Sequence, residues 1–430
     1  MTIESLYEIY KQYPSVETDT RKLKTGDIFF ALKGGNFNGN AFAAKAIEAG
    51  AAYAVIDEKI PMDIGIETSG KMILVDDVLA TLQQLAKHHR QQFNIPFIAI
   101  TGSNGKTTTK ELIHAVLSST FKTSTTEGNL NNHIGIPLTI LKIKSDAEIA
   151  VIEMGANHQK EIEGYCKYAL PTHGLITNAG KAHLEGFGGP EGVKKGKGEL
   201  FDYLRSIDGT AFVMWDYDYL REMSKGIPHI VTYGTHDADT EGNIIQSEPF
   251  LKVEIKNAVT DSIQTTLVGD YNFPNVLAAV AIGKFFGIDD KKIKSSIENY
   301  IPSNSRSQLI EKETNKIILD AYNANPSSMK LAIENFAKLK VNNKILMLGA
   351  MAELGEESLN EHQEILDLIK KYDWEKVVLV GGDFLKLDSS FLLFKSSSEA
   401  KEWLQQQHFT NRYFLIKGSR SMQMEKVLEN

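Results

Sequence analysis

The sequence predicts an α/β protein of three domains. Short apolar runs ending in small or polar residues alternate with helical patterns over most of the chain, as buried parallel strands and their crossover helices do. A Gly-Lys-Thr turn separates one such run from a helix in "FIAITGSNGKTTTKELI" (Phe97 to Ile113). The pattern breaks near residue 94 and again at "IPSNSR" (Ile301 to Arg306), where Pro and Ser intervene, and it restarts after each break. At about 150 residues per domain, 430 residues hold roughly two to three domains.

In the first segment, residues 1–94, "GDIFFALKG" (Gly26 to Gly34) and "AAYAVID" (Ala51 to Asp57) read as short strands. "AFAAKAIEAGA" between them is rich in good helix formers, and "LATLQQLAKHHRQQFN" (Leu79 to Asn94) reads as a second helix. Pro96 punctuates the chain before "FIAI" opens a new strand. The central segment, residues 95–302, is expected to hold a parallel sheet. "AEIAVIEMG" (Ala147 to Gly155) and "HGLITNAG" (His173 to Gly180) are its further strands, and ligands gather at the carboxyl ends of such strands. Short strands with turns follow between about 209 and 268, then a helix at "NVLAAVAIGKFFG" (Asn275 to Gly287). The last segment, residues 303–430, carries four strand patterns, "KIILDAY", "NKILMLGA", "KVVLVGG" and "RYFLIKGS". It reads as a second doubly wound, Rossmann-like α/β domain.

Composition bounds the partners. The formal net charge is −8, from 47 basic and 55 acidic residues, which argues against nucleic acid as the main partner. The single cysteine, Cys166, excludes an internal disulfide and a thiolate-only metal site, and it fits a reducing cytoplasm. "MTIESLYEIYKQ" has no basic stretch followed by an apolar run, so no signal peptide is expected. No apolar run approaches the ~18 residues of a membrane span. A cytoplasmic monomer without a membrane span is the expectation.

The loop "TGSNGKTTT" (Thr101 to Thr109) carries the most specific chemistry. Between a strand and a helix, the backbone N–H groups of Gly102, Ser103, Asn104 and Gly105 and the helix start at Lys106, Thr107 and Thr108 can face phosphate oxygens. Lys106 would reach the outer phosphates, and the Thr107 hydroxyl would sit on Mg²⁺. Ile100 stands where the general pattern G-x-x-x-x-G-K-[ST] has its first glycine. An ordinary glycine turn before a helix is the weaker alternative, given three threonines after the lysine.

Other motifs are less specific alone. "VIEMGANH" ends a buried strand with Glu153, which suits a metal ligand or a water-holding base, or equally a strand-end carboxylate in a salt bridge. "NAGKAHLEGFGG" places His183 and Glu185 in a Gly-rich loop, as a metal or phosphate contact or as a histidine satisfied by backbone. "KKGKGELF" (Lys194 to Phe201) places Lys197 at a helix start, where a solvated basic run is the plainer reading. "EGNLNNHIGIPLTIL" offers Asn129, Asn131 and Asn132 to a polar substrate or to turns. "LDAYNANPSSM" and "LIKGSRSM" set Asp320, Asn323, Lys417 and Arg420 at strand ends. No Ser-His-Asp or Cys-His arrangement is legible from spacing.

Taken in order, these motifs resemble the Mur ligases of peptidoglycan synthesis over nearly the whole chain. "TDTRKLKTGDIFFALKG" looks like the family's UDP-binding segment, and "TGSNGKTTT" like its ATP loop, which also lacks the first glycine. "EGNLNNHIGIPLTIL", "EMGANHQKEI", "NAGKAHLEGFGGPEGV", "YNANPSSM", "LGAMAELGEES" and "KGSRSMQMEKVL" look like the branch that adds D-alanyl-D-alanine. A sibling adding the third-position diamino acid would carry a "DNPR"-like element, which is missing. A folylpolyglutamate synthase would not need the UDP segment. Intact Lys106, Thr107, Glu153, His183 and Lys197 argue against an ATP-binding protein that has lost catalysis.

The resemblance implies a UDP-substrate domain (1–94), a P-loop ATPase domain (95–302) and a C-terminal domain (303–430) contributing to ATP and D-Ala-D-Ala binding. It implies Thr107 and Glu153 as Mg²⁺ ligands, His183 as ligand of a second Mg²⁺, and Lys197 as the lysine that is carbamylated in the family. Lys106, Glu153, His183 and Lys197 are then the catalytic set. Asn272, Asn275, Arg306 and Asp320 join the phosphate loop as nucleotide contacts. Asp19, Thr20 and Arg21 match uridine-nucleotide contacts, and Asn129, Asn131, Asn132, Asn323 and Asn325 substrate contacts. The implied reaction joins UDP-MurNAc-tripeptide to D-Ala-D-Ala through an acyl phosphate formed with ATP, under domains that close against water. Three positions depart from the family: Tyr271 replaces the usual His of "GxHN", Ala350 replaces the Asp of "LGDM", and "GGNFNGNAF" lacks the usual "DGHxF".

Overall fold

A computed structural model describes residues 1–59, 70–258, 262–303 and 305–429; Asn304, inside the predicted boundary Ile301 to Arg306, lies outside the described residues. The chain divides into two compact units. The first comprises Met1–Ile100, Phe121–Gly155 and Glu161–Gly174; the second comprises Thr101–Thr120, Ala156–Lys160 and Leu175–Asn430.

In the first unit, the strands Val16–Glu17, Ile28–Phe30, Tyr53–Ile56 and Met72–Leu74 form a parallel sheet in that order. Phe29, Ala31, Ala54 and Ile56 of this sheet bury against Ala43, Ala46 and Ile47 of the helix Ala43–Glu48. Small alanines let the helix lie close to the sheet, which is why this helix is alanine-rich. The helix Val78–Arg90 starts at Asp77, whose side chain accepts from Ala80 N. It ends in two buried polar residues. His89 bonds to the Tyr7 hydroxyl and to Ile143 O. Arg90 donates to Ala169 O and Leu170 O and lies over the Phe97 ring at 3.6 Å. Its charge is thus buried with donors satisfied. The strands Phe97–Thr101, Ile149–Glu153 and Thr123–Thr125 run parallel, with Phe97 opposite Ala150 and Thr123 opposite Ile149.

In the second unit, the helix Lys106–Ser118 opens at Gly105. It packs against Phe273–Phe285, a helix apolar nearly all round and therefore buried. The strands Thr210–Met214, His229–Gly234 and Thr240–Gln246 pair in parallel. Lys252–Ile255 and Ile263–Gln264 then add antiparallel. The last third forms a six-stranded sheet in the order Gln308–Lys312, Asn315–Asp320, Tyr413–Lys417, Lys344–Gly349, Lys376–Val380, Leu392–Phe394. Only the first pair is antiparallel. Ile317, Leu319, Ile345, Met347, Val378, Val380, Phe414 and Ile416 build its core.

Four expectations need correction. The central sheet is mixed rather than parallel. The last sheet has six strands, not four; Gln308–Lys312 and Leu392–Phe394 are edge strands, half exposed and therefore weakly apolar in sequence. His183 and Glu185 lie at the start of a short helix, Leu184–Phe187, not in an open loop. Lys197 lies in the middle of the helix Pro190–Ser206, not at its start. Pro190 begins that helix, and three glycines inside it hide it from propensity. At Gly196 a Cβ would meet Phe187 Cε1 at 2.4 Å, so the glycine is there to admit the ring. Among the described residues no helix is long and apolar enough to cross a membrane.

Candidate active site

The phosphate loop is braced from below. Ser103 N donates to Asn178 O at 2.9 Å, and Asn104 N donates to Asn178 Oδ1 at 3.0 Å. Thr177 Oγ1 donates to Asn104 O at 2.6 Å, and Ser103 Oγ donates to Gly180 O at 2.8 Å. Thr177 and Asn178 were not singled out from sequence; their position just after the strand His173–Ile176 was the available signal. Gly105 takes φ +80°, a left-handed conformation that costs other residues about 1–2 kcal/mol. The helix N-terminus after it is thereby aimed along the loop. Lys106 Nζ donates to Gly102 O and Ser103 O at 2.6 and 3.2 Å. Thr107, Thr108 and Thr109 are buried.

A chain of amides supports this loop. Thr109 Oγ1 donates to Asn275 Oδ1, Asn275 Nδ2 to Asn272 Oδ1, and Asn272 Nδ2 to Val268 O, each at 2.9–3.0 Å. Asn325 caps the helix Pro326–Lys338 through a capping box with Ser328, and its Nδ2 donates to Asn104 Oδ1 at 2.8 Å. Ser327 Oγ accepts from Lys181 N at 2.9 Å. Residues far apart in sequence therefore meet at the loop.

His183 and Lys197 also lie in the second unit. His183 takes φ +52° and faces Glu353, itself at φ +60°, with Nδ1 against the carboxylate. The hydrogen bond from His183 holds the Glu353 carboxyl below its ordinary value. Lys181 Nζ reaches the buried Glu361 at 2.6 Å. Lys197 is 1% exposed; its Nζ donates to Ala156 O at 3.0 Å and stands 4.8 Å from the centre of the Phe187 ring. Asp320 accepts from Lys417 Nζ at 2.5 Å and from Ser307 N at 3.1 Å. Lys417 Nζ also donates to Asn323 O, while Asn323 Oδ1 accepts from Ala324 N and Arg420 N. Arg306 lies over the Tyr322 ring at 3.6 Å.

The remaining candidates belong to the first unit. Glu153 is 1% exposed, and its carboxylate accepts from Asn131 Nδ2 at 2.7 Å. Asn132 Oδ1 accepts from Ile134 N and Gly135 N at the start of a helix. Asn129 is exposed. Arg21 forks onto Asp19 at 2.9 and 2.7 Å, and this guanidinium holds the Asp19 carboxyl down at about 2; Thr20 lies between them.

Among the described residues, no group of three or more His, Cys, Asp or Glu side chains gathers as a metal site. A cation here would depend on a hydroxyl, single carboxylates, phosphate oxygens and water. That donor set suits Mg²⁺, which usually takes one or two carboxylates and keeps waters and substrate phosphates. A buried carboxylate such as Glu153 fits it.

Three family models match the chain: "Mur ligase family, catalytic domain" over residues 12–90, "Mur ligase middle domain" over 100–283, and "Mur ligase, glutamate ligase domain" over 305–420. The UDP-N-acetylmuramoyl-tripeptide--D-alanyl-D-alanine ligase of Bacillus subtilis (strain 168) is 35% identical over 427 residues, covering 96% of this chain and 92% of its own. A crystal structure of MurF from Acinetobacter baumannii superposes with a TM-score of 0.85 at 30% identity, over 96% of this chain and 92% of that one. MurF ligase from Thermotoga maritima, solved in complex with ADP, gives 0.84 at 26% identity, over 96% of each chain.

Proposed function

This chain belongs to the Mur ligase family, and from that premise we propose that it joins D-alanyl-D-alanine to UDP-MurNAc-tripeptide in an ATP-dependent reaction. The observation that carries the reading is the braced Gly-Lys-Thr loop, set in a chain similar to these ligases from end to end. We infer a division into a UDP-substrate domain (1–94), an ATPase domain (95–302) and a C-terminal domain (303–430). The protein works in the cytoplasm as a monomer.

A carboxylate is a poor electrophile, so the tripeptide's terminal carboxylate must first take the γ-phosphoryl group of ATP. ADP leaves and an acyl phosphate remains. The amine of D-Ala-D-Ala then attacks the carbonyl, phosphate departs, and the amine loses a proton as the amide forms. The loop N–H groups hold the phosphates, and Lys106 offsets charge on the outer oxygens. Thr107 and Glu153 would hold one Mg²⁺, and His183 with a carbamylated Lys197 a second. Mg²⁺ supplies charge neutralisation at the phosphoryl oxygens. Lys197 as an ammonium cannot ligate a cation. Its carbamate, formed when the neutral amine adds to CO₂ and a proton is released, can. Asn272 and Asn275 hold the loop from beneath. Arg306, Asp320, Asn323 and Asn325 bring the last domain to the nucleotide and dipeptide. Asp19, Thr20, Arg21, Asn129, Asn131 and Asn132 serve the UDP-linked substrate, Asn131 by holding Glu153 in place.

The test is phosphate release from ATP and Mg²⁺ with UDP-MurNAc-tripeptide, with and without D-Ala-D-Ala. Release that needs both, with a UDP-linked pentapeptide formed, is the expected result. Release that depends on neither substrate would replace this reading with a nucleotide hydrolase or a sibling specificity.

A further inference from the structure

We propose that Tyr322 and Tyr271 are positioning residues for Arg306, aiming its guanidinium at oxygens of the phosphoryl group that the reaction transfers. The inference rests on the ligase reading and adds to it two residues to which the sequence motifs gave no role.

Arg306 is held in an unusual way. Ser305 and Ser307, on either side of it, both take left-handed backbone, at φ +55° and +47°. Each such residue costs of order 1–3 kcal/mol unless its surroundings impose it. Three contacts do so. Tyr322 N donates to Ser305 O at 3.2 Å, and Ser307 N donates to Asp320 Oδ1 at 3.1 Å. The hydroxyls of Tyr271 and Ser307 are hydrogen-bonded at 2.9 Å. The Tyr271 ring is fixed in turn: it folds over Gly269, where a Cβ would meet Cε1 at 2.4 Å. Burial, with the Asp320 charge adding to it, pushes the Tyr271 phenol above its ordinary value, so its hydroxyl stays protonated.

The side chain is fixed as well. The guanidinium carbon lies 3.6 Å from the centre of the Tyr322 ring. Stacking uses the face of the guanidinium and leaves its edge N–H groups to fork onto an anion. Among the described residues no carboxylate pairs with Arg306, and its buried Nε has no hydrogen-bond partner. Arg420, the other cation near the Tyr322 ring at 5.9 Å, is by contrast already paired with Glu425. Strained flanks, a stacked face and a buried Nε–H without a protein partner describe an arginine prepared for an external oxyanion. The hydroxyl-to-hydroxyl bond from Tyr271 to Ser307 is the device that pins the backbone.

The experiment measures kcat and the KM for ATP and for D-Ala-D-Ala in Arg306→Ala, Tyr322→Leu, Tyr322→Phe, Tyr271→Phe and the double variant Arg306→Ala/Tyr322→Leu. Arg306→Ala should lower kcat about a hundredfold. Tyr322→Leu should lower it about tenfold while Tyr322→Phe, which keeps the ring face, stays near wild type. Tyr271→Phe, which keeps the ring volume, should cost about fivefold. The double variant should be no worse than Arg306→Ala, because a stack without its arginine has nothing to aim. Losses that multiply in the double variant would mark a folding defect and overturn the proposal. So would a normal kcat for Tyr322→Leu, or an effect confined to the KM for D-Ala-D-Ala, which would assign Arg306 to the dipeptide carboxylate. An unmodified chain that forms no amide removes the ligase reading itself, before any variant is compared.

Discussion

Replacing Gly196 with alanine tests how Lys197 is seated. Gly196 is buried in the helix Pro190–Ser206, one residue before the lysine. Helix propensity alone favours alanine by about 1 kcal/mol. The new Cβ, however, would lie 2.4 Å from Phe187 Cε1 and 3.0 Å from Cδ1. Phe187 is 2% exposed, so its ring cannot swing into solvent. Overpacking of this kind costs about 1–3 kcal/mol. The net effect is a destabilisation of between about 0 and 2 kcal/mol, from those two terms. Gly198, two residues on, is the internal control. There a Cβ would approach only the flexible end of Met223, at 3.3 Å, so Gly198→Ala should gain about 0.5–1 kcal/mol. Urea unfolding of the two variants side by side reads the difference as a shift in midpoint at unchanged slope. Gly196→Ala should also lose ligase activity, because the displaced ring is the one beneath Lys197 Nζ. If both variants are stabilised alike, the ring does not occupy the place that the glycine leaves for it.

Three further outcomes follow from the geometry. Lys197→Ala should lose most ligase activity and regain part of it with added short carboxylic acids; near-normal activity, or no rescue, would count against the carbamate. Burial pushes His173 down to about 4, so the folded chain holds it neutral while the unfolded chain protonates near 6.5. Its contribution to stability is therefore complete above about pH 6.5 and drains by up to about 3 kcal/mol as pH falls toward 4. His173→Gln should flatten that slope in pH-dependent unfolding, and an unchanged slope would refute the assignment. Asn325→Ser keeps an N-cap but is too short to reach Asn104, so the melting temperature should hold while the KM for ATP rises several-fold. An unchanged KM would mean that the amide contact does not position the loop.

What the sequence revealed was local. The phosphate loop is contiguous, so its residues and their roles can be read together. The strand Ile149–Glu153 is buried at every residue and announces itself as an apolar run. The hairpin strand Gln308–Lys312 does not, because it lies at a sheet edge and ends in two exposed residues. The helix around Lys197 was obscured by the same glycines that seat Phe187. The dense asparagines at 129–132 read equally as substrate contacts or as turn builders, because spacing does not separate the two; Asn131 Nδ2 donates to Glu153, and Asn132 Oδ1 accepts from Gly135 N. The contacts that define the site join residues remote in sequence: Tyr271 and Ser307 are 36 positions apart, and Asn104 and Asn325 are 221 apart. No periodicity or spacing rule encodes such pairs; only the folded topology brings them together.

The hairpin strand that the sequence concealed has a mechanical consequence. Gln308 pairs with Leu319; beyond the paired strands, Ser307 N donates to the Asp320 side chain and Tyr322 N to Ser305 O. Arg306 is thus a spur beside the last sheet, and its aromatic seat, Tyr322, lies two residues past the end of the neighbouring strand Asn315–Asp320. If the sheet turns as a body, guanidinium and seat travel together and their stacking survives at every angle. The amide bridge from Asn325 to Asn104 has one foot on the helix that packs on this sheet and the other on the phosphate loop. It cannot accompany such a turn and must break. Under such a turn the charge would travel ready-made, and the bridge would act as a detent that engages only where the travel ends.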